Sequence, residues 1–169
     1  WASGYNIYGQ LGLNDTTARS SPTQVGNLTT WKKVSSGQYN GAAIKTDGTL
    51  WIWGLNTNGQ LGQNDTSDRS SPVQVGTSSW SSVAAGVNNM SAININKLLY
   101  AWGINTSGVL GDGTVFSRSS PVQIGSSSWA QVSTNNTTAA IRIDGGLFTW
   151  GSALAGQLGN NTASANLSS

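Results

Sequence analysis

Residues 50–76 read LWIWGLNTNGQLGQNDTSDRSSPVQVG. The segment combines Trp51, Trp53, a set of glycines and an Arg-Ser-Ser-Pro step, with almost no side chains suited to catalysis. Its landmarks recur along the chain. Trp1, Gly4, Asn6 and Gly9-Gln10-Leu11-Gly12 stand 50 residues before Trp51, Gly54, Asn56 and Gly59-Gln60-Leu61-Gly62. Arg19-Ser20-Ser21-Pro22 precedes Arg69-Ser70-Ser71-Pro72 by the same interval. The next copy, with Trp102-Gly103 and Arg118-Ser119-Ser120-Pro121, follows after 49 residues, and Trp150-Gly151 follows Trp102-Gly103 after 48. Landmarks that recur in order at so even a period mark a repeat array, with one supersecondary unit per period.

Within a period the apolar runs are short and bounded by turn residues. In the second they predict four strands at 73–75, 81–85, 91–95 and 99–102. Asp47-Gly48 and Asp144-Gly145 signal tight hairpins, because both residue types tolerate positive φ; Asn96-Lys97 is the weaker equivalent. Leu50-Trp51-Ile52-Trp53 is apolar on both faces of an alternating strand, so it needs cover on both sides. Sheets stacked face to face around an axis provide that cover. No apolar spacing at i, i+3, i+4 and i+7 is sustained anywhere in the chain. The fold class is therefore all-β: a β-propeller segment of four-stranded antiparallel blades, with about three and a half repeats of roughly 50 residues. The repeats are placed at 1–50, 51–99, 100–147 and, in part, 148–169, within a single segment spanning 1–169. Trp51, Trp53, Trp102 and Trp150 are expected to fill the gaps between blades, and Arg19, Arg69 and Arg118, one per period, to bond loop carbonyls or lie over a Trp face.

The word WxWGxNxxGQLG, followed by RSxP, VxxG, an Ala-Ile strand and a DG turn, resembles the regulator of chromosome condensation repeat. That resemblance covers essentially the whole chain. It implies a β-propeller, usually of seven blades, of which this chain would be about half. It also implies a range of uses: nucleotide exchange on a small GTPase, service as a module in ubiquitin ligases, and action as a secreted inhibitor of β-lactamase. The copies depart from the pattern at Ser3, which replaces the second Trp, at Val109, which replaces Gln, and at Ala153, which replaces the Asn of positions 6, 56 and 105. Where the family often carries His before the Ala-Ile strand, this chain has Asn40 and Asn89.

The composition restricts the chemistry. The 169 residues are 8% charged, with net charge +2, and contain no Cys, no His and no Glu. General acid–base work would fall to six aspartates. Asp47 and Asp144 belong to turns. Asp15, Asp65 and Asp112 lie in the loop after Gly-x-Leu-Gly, and only Asp65 and Asp68 are close enough in sequence to suggest paired oxygen ligands, so no metal site and no cofactor are assigned. The cations are scattered and do not form the patch that phosphate recognition requires, which argues against nucleic acid. No leader is visible, and the apolar runs fall well short of the roughly 20 residues that span a bilayer. The Asn/Ser/Thr-rich, charge-poor composition resembles extracellular surface or virion proteins.

The expected function is non-enzymatic: a scaffold presenting loops to a protein partner. Exchange on a small GTPase and carbohydrate binding are the alternatives. Three blades cannot close a ring, so further blades of the same chain, or other copies, are expected to cover the ends, and a segment of a longer protein is favoured. The candidate partner-binding loops are 14–18, 64–68 and 112–116, with Asp15, Asp65, Asp68, Asp112 and Phe116. Phe116 is an apolar side chain in a loop where the other copies carry Ala18 or Asp68.

Overall fold

The computed structural model describes residues 1–159; the end of the partial repeat, 160–169, lies outside them. All regular elements are strands. They are β1 (Ala2–Gly4), β2 (Arg19–Thr23), β3 (Trp31–Ser36), β4 (Asn40–Lys45), β5 (Leu50–Gly54), β6 (Arg69–Gln74), β7 (Trp80–Ala85), β8 (Asn89–Asn94), β9 (Leu98–Gly103), β10 (Arg118–Thr134), β11 (Thr137–Arg142) and β12 (Leu147–Gly151). Every pairing is antiparallel. The order β3-β4-β5-β6 forms one blade, and β7-β8-β9 with the first part of β10 forms the next. β10 then runs on: its residues Trp129 to Thr134 leave β9 and pair with β11, opening a third blade that β12 continues. The pair β1-β2 flanks the first full blade.

One expectation is corrected here. The strand predicted at 73–75 belongs to β6 and pairs with Trp51 and Ile52 of β5, so it closes the preceding blade and does not open its own. The partner of a strand is set by the hydrogen-bond ladder, and β5 meets β6 across a long loop that carries no tight-turn signal. The Asn96-Lys97 hairpin does form, with Lys97 at φ 68.

The blades meet through two apolar layers. Ile44, Leu50 and Ile52 of the first blade pack with Trp80, Met90 and Trp102 of the second. Ile93, Leu99 and Ala101 pack with Trp129 and Trp150 of the third. Trp53, Trp102 and Trp150 are all buried at equivalent positions. Each indole reaches into the preceding repeat: Trp53 Nε1 donates to Gln10 O at 2.8 Å, Trp102 Nε1 to Gln60 O at 2.9 Å and Trp150 Nε1 to Val109 O at 3.0 Å. Gly62 lies under Trp102 so closely that a Cβ would meet Nε1 at 2.9 Å, and its φ of +66 already favours glycine. The Trp-Gly and Gly-x-Leu-Gly landmarks are therefore two halves of one contact between successive repeats.

Trp51 behaves differently. It is half-buried, edge-on to Trp31 at 6.4 Å and beneath Lys45 Nζ at 3.7 Å. Its equivalents are Tyr100, which packs on Trp80, and Phe148, which packs on Trp129. Trp31, Trp80 and Trp129 thus make a further aromatic landmark with a period of 49. The sequence displays it, but the strand it opens was expected one residue later.

Candidate functional site

The loops that join the third strand of a blade to the fourth (55–68 between β5 and β6, 104–117 between β9 and β10) emerge at the blade end that also carries the β3–β4 and β7–β8 turns. The tight β4–β5 hairpin lies at the opposite end. Each loop is built around one buried asparagine. Asn56 is fully buried; its Nδ2 donates to Asp65 O at 3.1 Å and to Asp65 Oδ1 at 2.9 Å, while its Oδ1 accepts from Leu61 N at 2.8 Å. Asn6 does the same with Asp15, Thr17 and Leu11, and Asn105 with Asp112, Thr114 and Leu110. An amide holds both a donor group and an acceptor, so one side chain ties the two limbs of the loop together.

The aspartates turn inward to this asparagine and to the arginine that opens the fourth strand. Arg19 Nη2 meets Asp15 Oδ2 at 2.5 Å and Arg69 Nη2 meets Asp65 Oδ2 at 2.6 Å, each four residues apart. In the third loop the carboxylate comes from a different place. Asp112 aligns with Leu13 and Gln63, yet its Oδ2 receives Arg118 Nε at 2.8 Å and its Oδ1 receives Asn105 Nδ2. The carboxylate has moved along the chain while its two partners stayed. Arg19 and Arg69 also donate to the carbonyls of Thr17 and Ser67, at 2.7 and 2.8 Å. Asp68 accepts the Asn56 backbone N–H at 2.7 Å, a place that Ser117 takes in the third loop. Position 14 has φ 63, position 64 has φ 60 and the equivalent Gly113 has φ 73, which explains why only Asn or Gly occurs there.

These bonds set the electrostatics. The Thr17 backbone N–H, with Arg19 and Asn6, holds Asp15 below the usual carboxylate range; the Ser67 N–H, with Arg69 and Asn56, does the same for Asp65. Burial pushes Asp112 up, but hydrogen bonds from Thr114 and Arg118 outweigh it and the net direction is down. Carboxylates held ionised by fixed donors act as structural anchors, and they lack the tuned pKa of a general base. Among the described residues no cluster of three or more His, Cys, Asp or Glu side chains is placed to hold a metal ion.

The first loop exposes Tyr5 and Ile7 near its start, but in the matching segments 14–18, 64–68 and 112–116 a large apolar side chain stands outward only in the third. Val115 is 56% exposed and Phe116 69% exposed. Phe116 aligns with Thr17 and Ser67, and its neighbour Ser117 with Ala18 and Asp68. The three loops share one frame, and in the segment just before the arginine the third alone displays an aromatic side chain.

Comparison with known proteins agrees with this architecture. The regulator of chromosome condensation (RCC1) repeat profile matches residues 1–44, 47–93 and 98–140, and a second profile of the same repeat matches 31–60. Among curated proteins no significant match is found. Among solved structures, yeast RCC1 (Prp20) bound to Kap60 is similar at TM-score 0.84 and 20% identity over 98% of this chain and 42% of its own. Human WBSCR16 is similar at 0.80 and 21%, over 98% of this chain and 46% of its own. The C-terminal domain of gp131 from bacteriophage phiKZ is more distant, at 0.51 and 13% over 81% of this chain and 40% of its own. The chain thus spans less than half the length of these structures.

Proposed function

Because the chain belongs to the regulator of chromosome condensation repeat family, we propose that it is a rigid, non-enzymatic propeller scaffold that presents the loops at one end of its blades to a protein partner. The observation that carries this reading is the Val115-Phe116 pair. It stands out from a loop whose base is fixed by Asn105, Asp112 and Arg118, so little conformational entropy is lost when it docks. An exposed aromatic on a rigid frame is the usual form of a binding hot spot. Prp20p of yeast, whose structure was described with its binding properties to Gsp1p and histones, supports the reading by its fold likeness to this chain, which at 20% identity selects no particular partner.

A photo-crosslinking residue at position 116, compared with one at position 18, identifies a partner in extract of the source cells, and purified partner is then titrated. Binding at least tenfold weaker for Phe116→Ala with unchanged thermal stability is the expected result. Unchanged binding with lowered thermal stability would make that loop purely structural.

A further inference from the structure

The clefts between successive blades, at the end that bears the loops, are closed in two cases and open in the third. In the first cleft Tyr8 and Tyr39 meet edge to face at 5.4 Å. In the second the equivalents are Asn58 and Asn88, and Gln60 bridges them: its Oε1 accepts Asn58 N at 2.8 Å and its Nε2 approaches Asn88 Oδ1 at 3.4 Å. In the third the equivalents are Ser107 and Asn136, and Val109 stands where Gln60 stood. The valine side chain neither reaches across nor accepts a hydrogen bond; only the Val109 carbonyl is engaged, by Thr138 Oγ1 at 2.8 Å and Trp150 Nε1. The backbone N–H of Tyr8, Asn58 and Ala155 each donates to the glutamine side chain of its own repeat; that of Ser107 has no protein acceptor among the described residues. A pocket of about 200 Å³ results, lined by Asn88, Thr106, Ser107, Asn135, Asn136 and Val109, with Ile104 and Ser152 completing it.

We propose that this cleft is a binding site for a single neutral sugar residue. The lining offers amide and hydroxyl groups, donors and acceptors together, and no charged side chain. Ile104, partly exposed, supplies an apolar surface for the C–H face of a pyranose. The Asn135 and Asn136 side chains are exposed and make no hydrogen bond to other described residues, so they are free to engage hydroxyls. The volume lies below the roughly 300 Å³ at which drug-sized pockets begin, which fits one ring. The site lies between the second blade and the first strands of the third, and it does not rest on the Phe116 reading.

The test is nuclear magnetic resonance on the ¹⁵N-labelled chain titrated with the neutral methyl glycosides of glucose, galactose, mannose and N-acetylglucosamine. Saturable shifts confined to the Ser107 backbone amide and the Asn135 and Asn136 side-chain amides are expected with at least one sugar. Val109→Gln restores the glutamine bridge and should weaken binding at least tenfold while the rest of the spectrum is preserved. Asn136→Ala, a surface change that keeps the fold, should weaken it severalfold, and Phe116→Ala should leave it unchanged. Absence of shifts at these amides with every sugar, or equal shifts in Val109→Gln, overturns the proposal. So does an asparagine-rich peptide that shifts them when no sugar does.

Discussion

The indole nitrogen of Trp102 donates to the carbonyl oxygen of Gln60, 42 residues earlier in the chain, at 2.9 Å. Both groups are fully buried, and the contact joins the third strand of one blade to the loop of the blade before it. Trp102→Ala removes the aromatic mass from the layer shared with Ile44, Leu50 and Met90 and should cost about 3–5 kcal/mol. Trp102→Phe keeps most of that mass and leaves the Gln60 carbonyl unpaired, so a smaller loss of about 1–3 kcal/mol is expected. Denaturant unfolding of both variants checks the order. Equal losses would mean that the aromatic mass contributes nothing beyond the hydrogen bond.

The spacing of Trp-Gly against Gly-x-Leu-Gly made the blades and the buried Trp53, Trp102 and Trp150 legible from sequence. The phase of the blades was not: the continuity of β10 from one blade into the next depends on a bulged ladder, with register shifts between Arg118 and Val122 and between Gln123 and Ser128, that no local pattern announces. The loops were legible as candidates, but their internal logic was not. Asp112 pairs with Arg118 from a position that aligns with Gln63, and a contact that moves along the chain while keeping its partners shows only in three dimensions. The open third cleft was half visible, since Val109 stood out as a departure, but its meaning depends on Gln60 reaching Asn88 in the neighbouring copy.

Two glycines with similar backbone geometry separate strain from crowding. Gly62 has φ +66 and Trp102 against it, whereas Gly76 has φ +53 and open space. Gly76→Ala should cost about 1–2 kcal/mol from the left-handed conformation alone. Gly62→Ala should cost at least about 1 kcal/mol more, because Trp102 must shift. Thermal unfolding of the two variants side by side decides it; equal losses would place Trp102 further from the loop than described.

Asn56→Ala should loosen its loop without unfolding the blades. The Leu61 N–H loses its acceptor, and the Asp65 carbonyl and carboxylate lose a donor, at about 1–3 kcal/mol for each buried group left unpaired. Amide exchange should show protection lost at Leu61 and kept at Ile93. Uniform loss of protection would mean that the asparagine supports the whole array.

Asp15, Asp65 and Asp112 are held below their ordinary value of 3.8 in the folded state, so the unfolded chain binds more protons as the pH falls. Stability from these groups is complete above about pH 5 and is lost as the pH falls below about 4 toward their folded values. The unfolding midpoint measured from pH 7 to pH 2.5 should stay level and then fall. A midpoint that is constant or rising below pH 4 would contradict the anchoring role of the carboxylates.

The last blade has an open face. Leu147 is 67% exposed, while its equivalents Leu50 and Leu99 are fully buried between blades. We expect this face to be covered by a further blade or by another copy, since exposed apolar patches of this kind associate. Sedimentation of the 17.5 kDa chain should show concentration-dependent association that Leu147→Gln reduces. A monomer at all concentrations would contradict it.

The most direct test of the interlocked repeats is hydrogen exchange at the eight indole N–H groups. Trp53, Trp102 and Trp150 donate to carbonyls of the preceding repeat, whereas Trp1 is 81% exposed. Indole exchange for these three should be slow, with Trp102 slowest and limited by global unfolding, and Trp1 should exchange at the solvent rate. A Trp102 indole exchanging as fast as that of Trp1 would contradict the account.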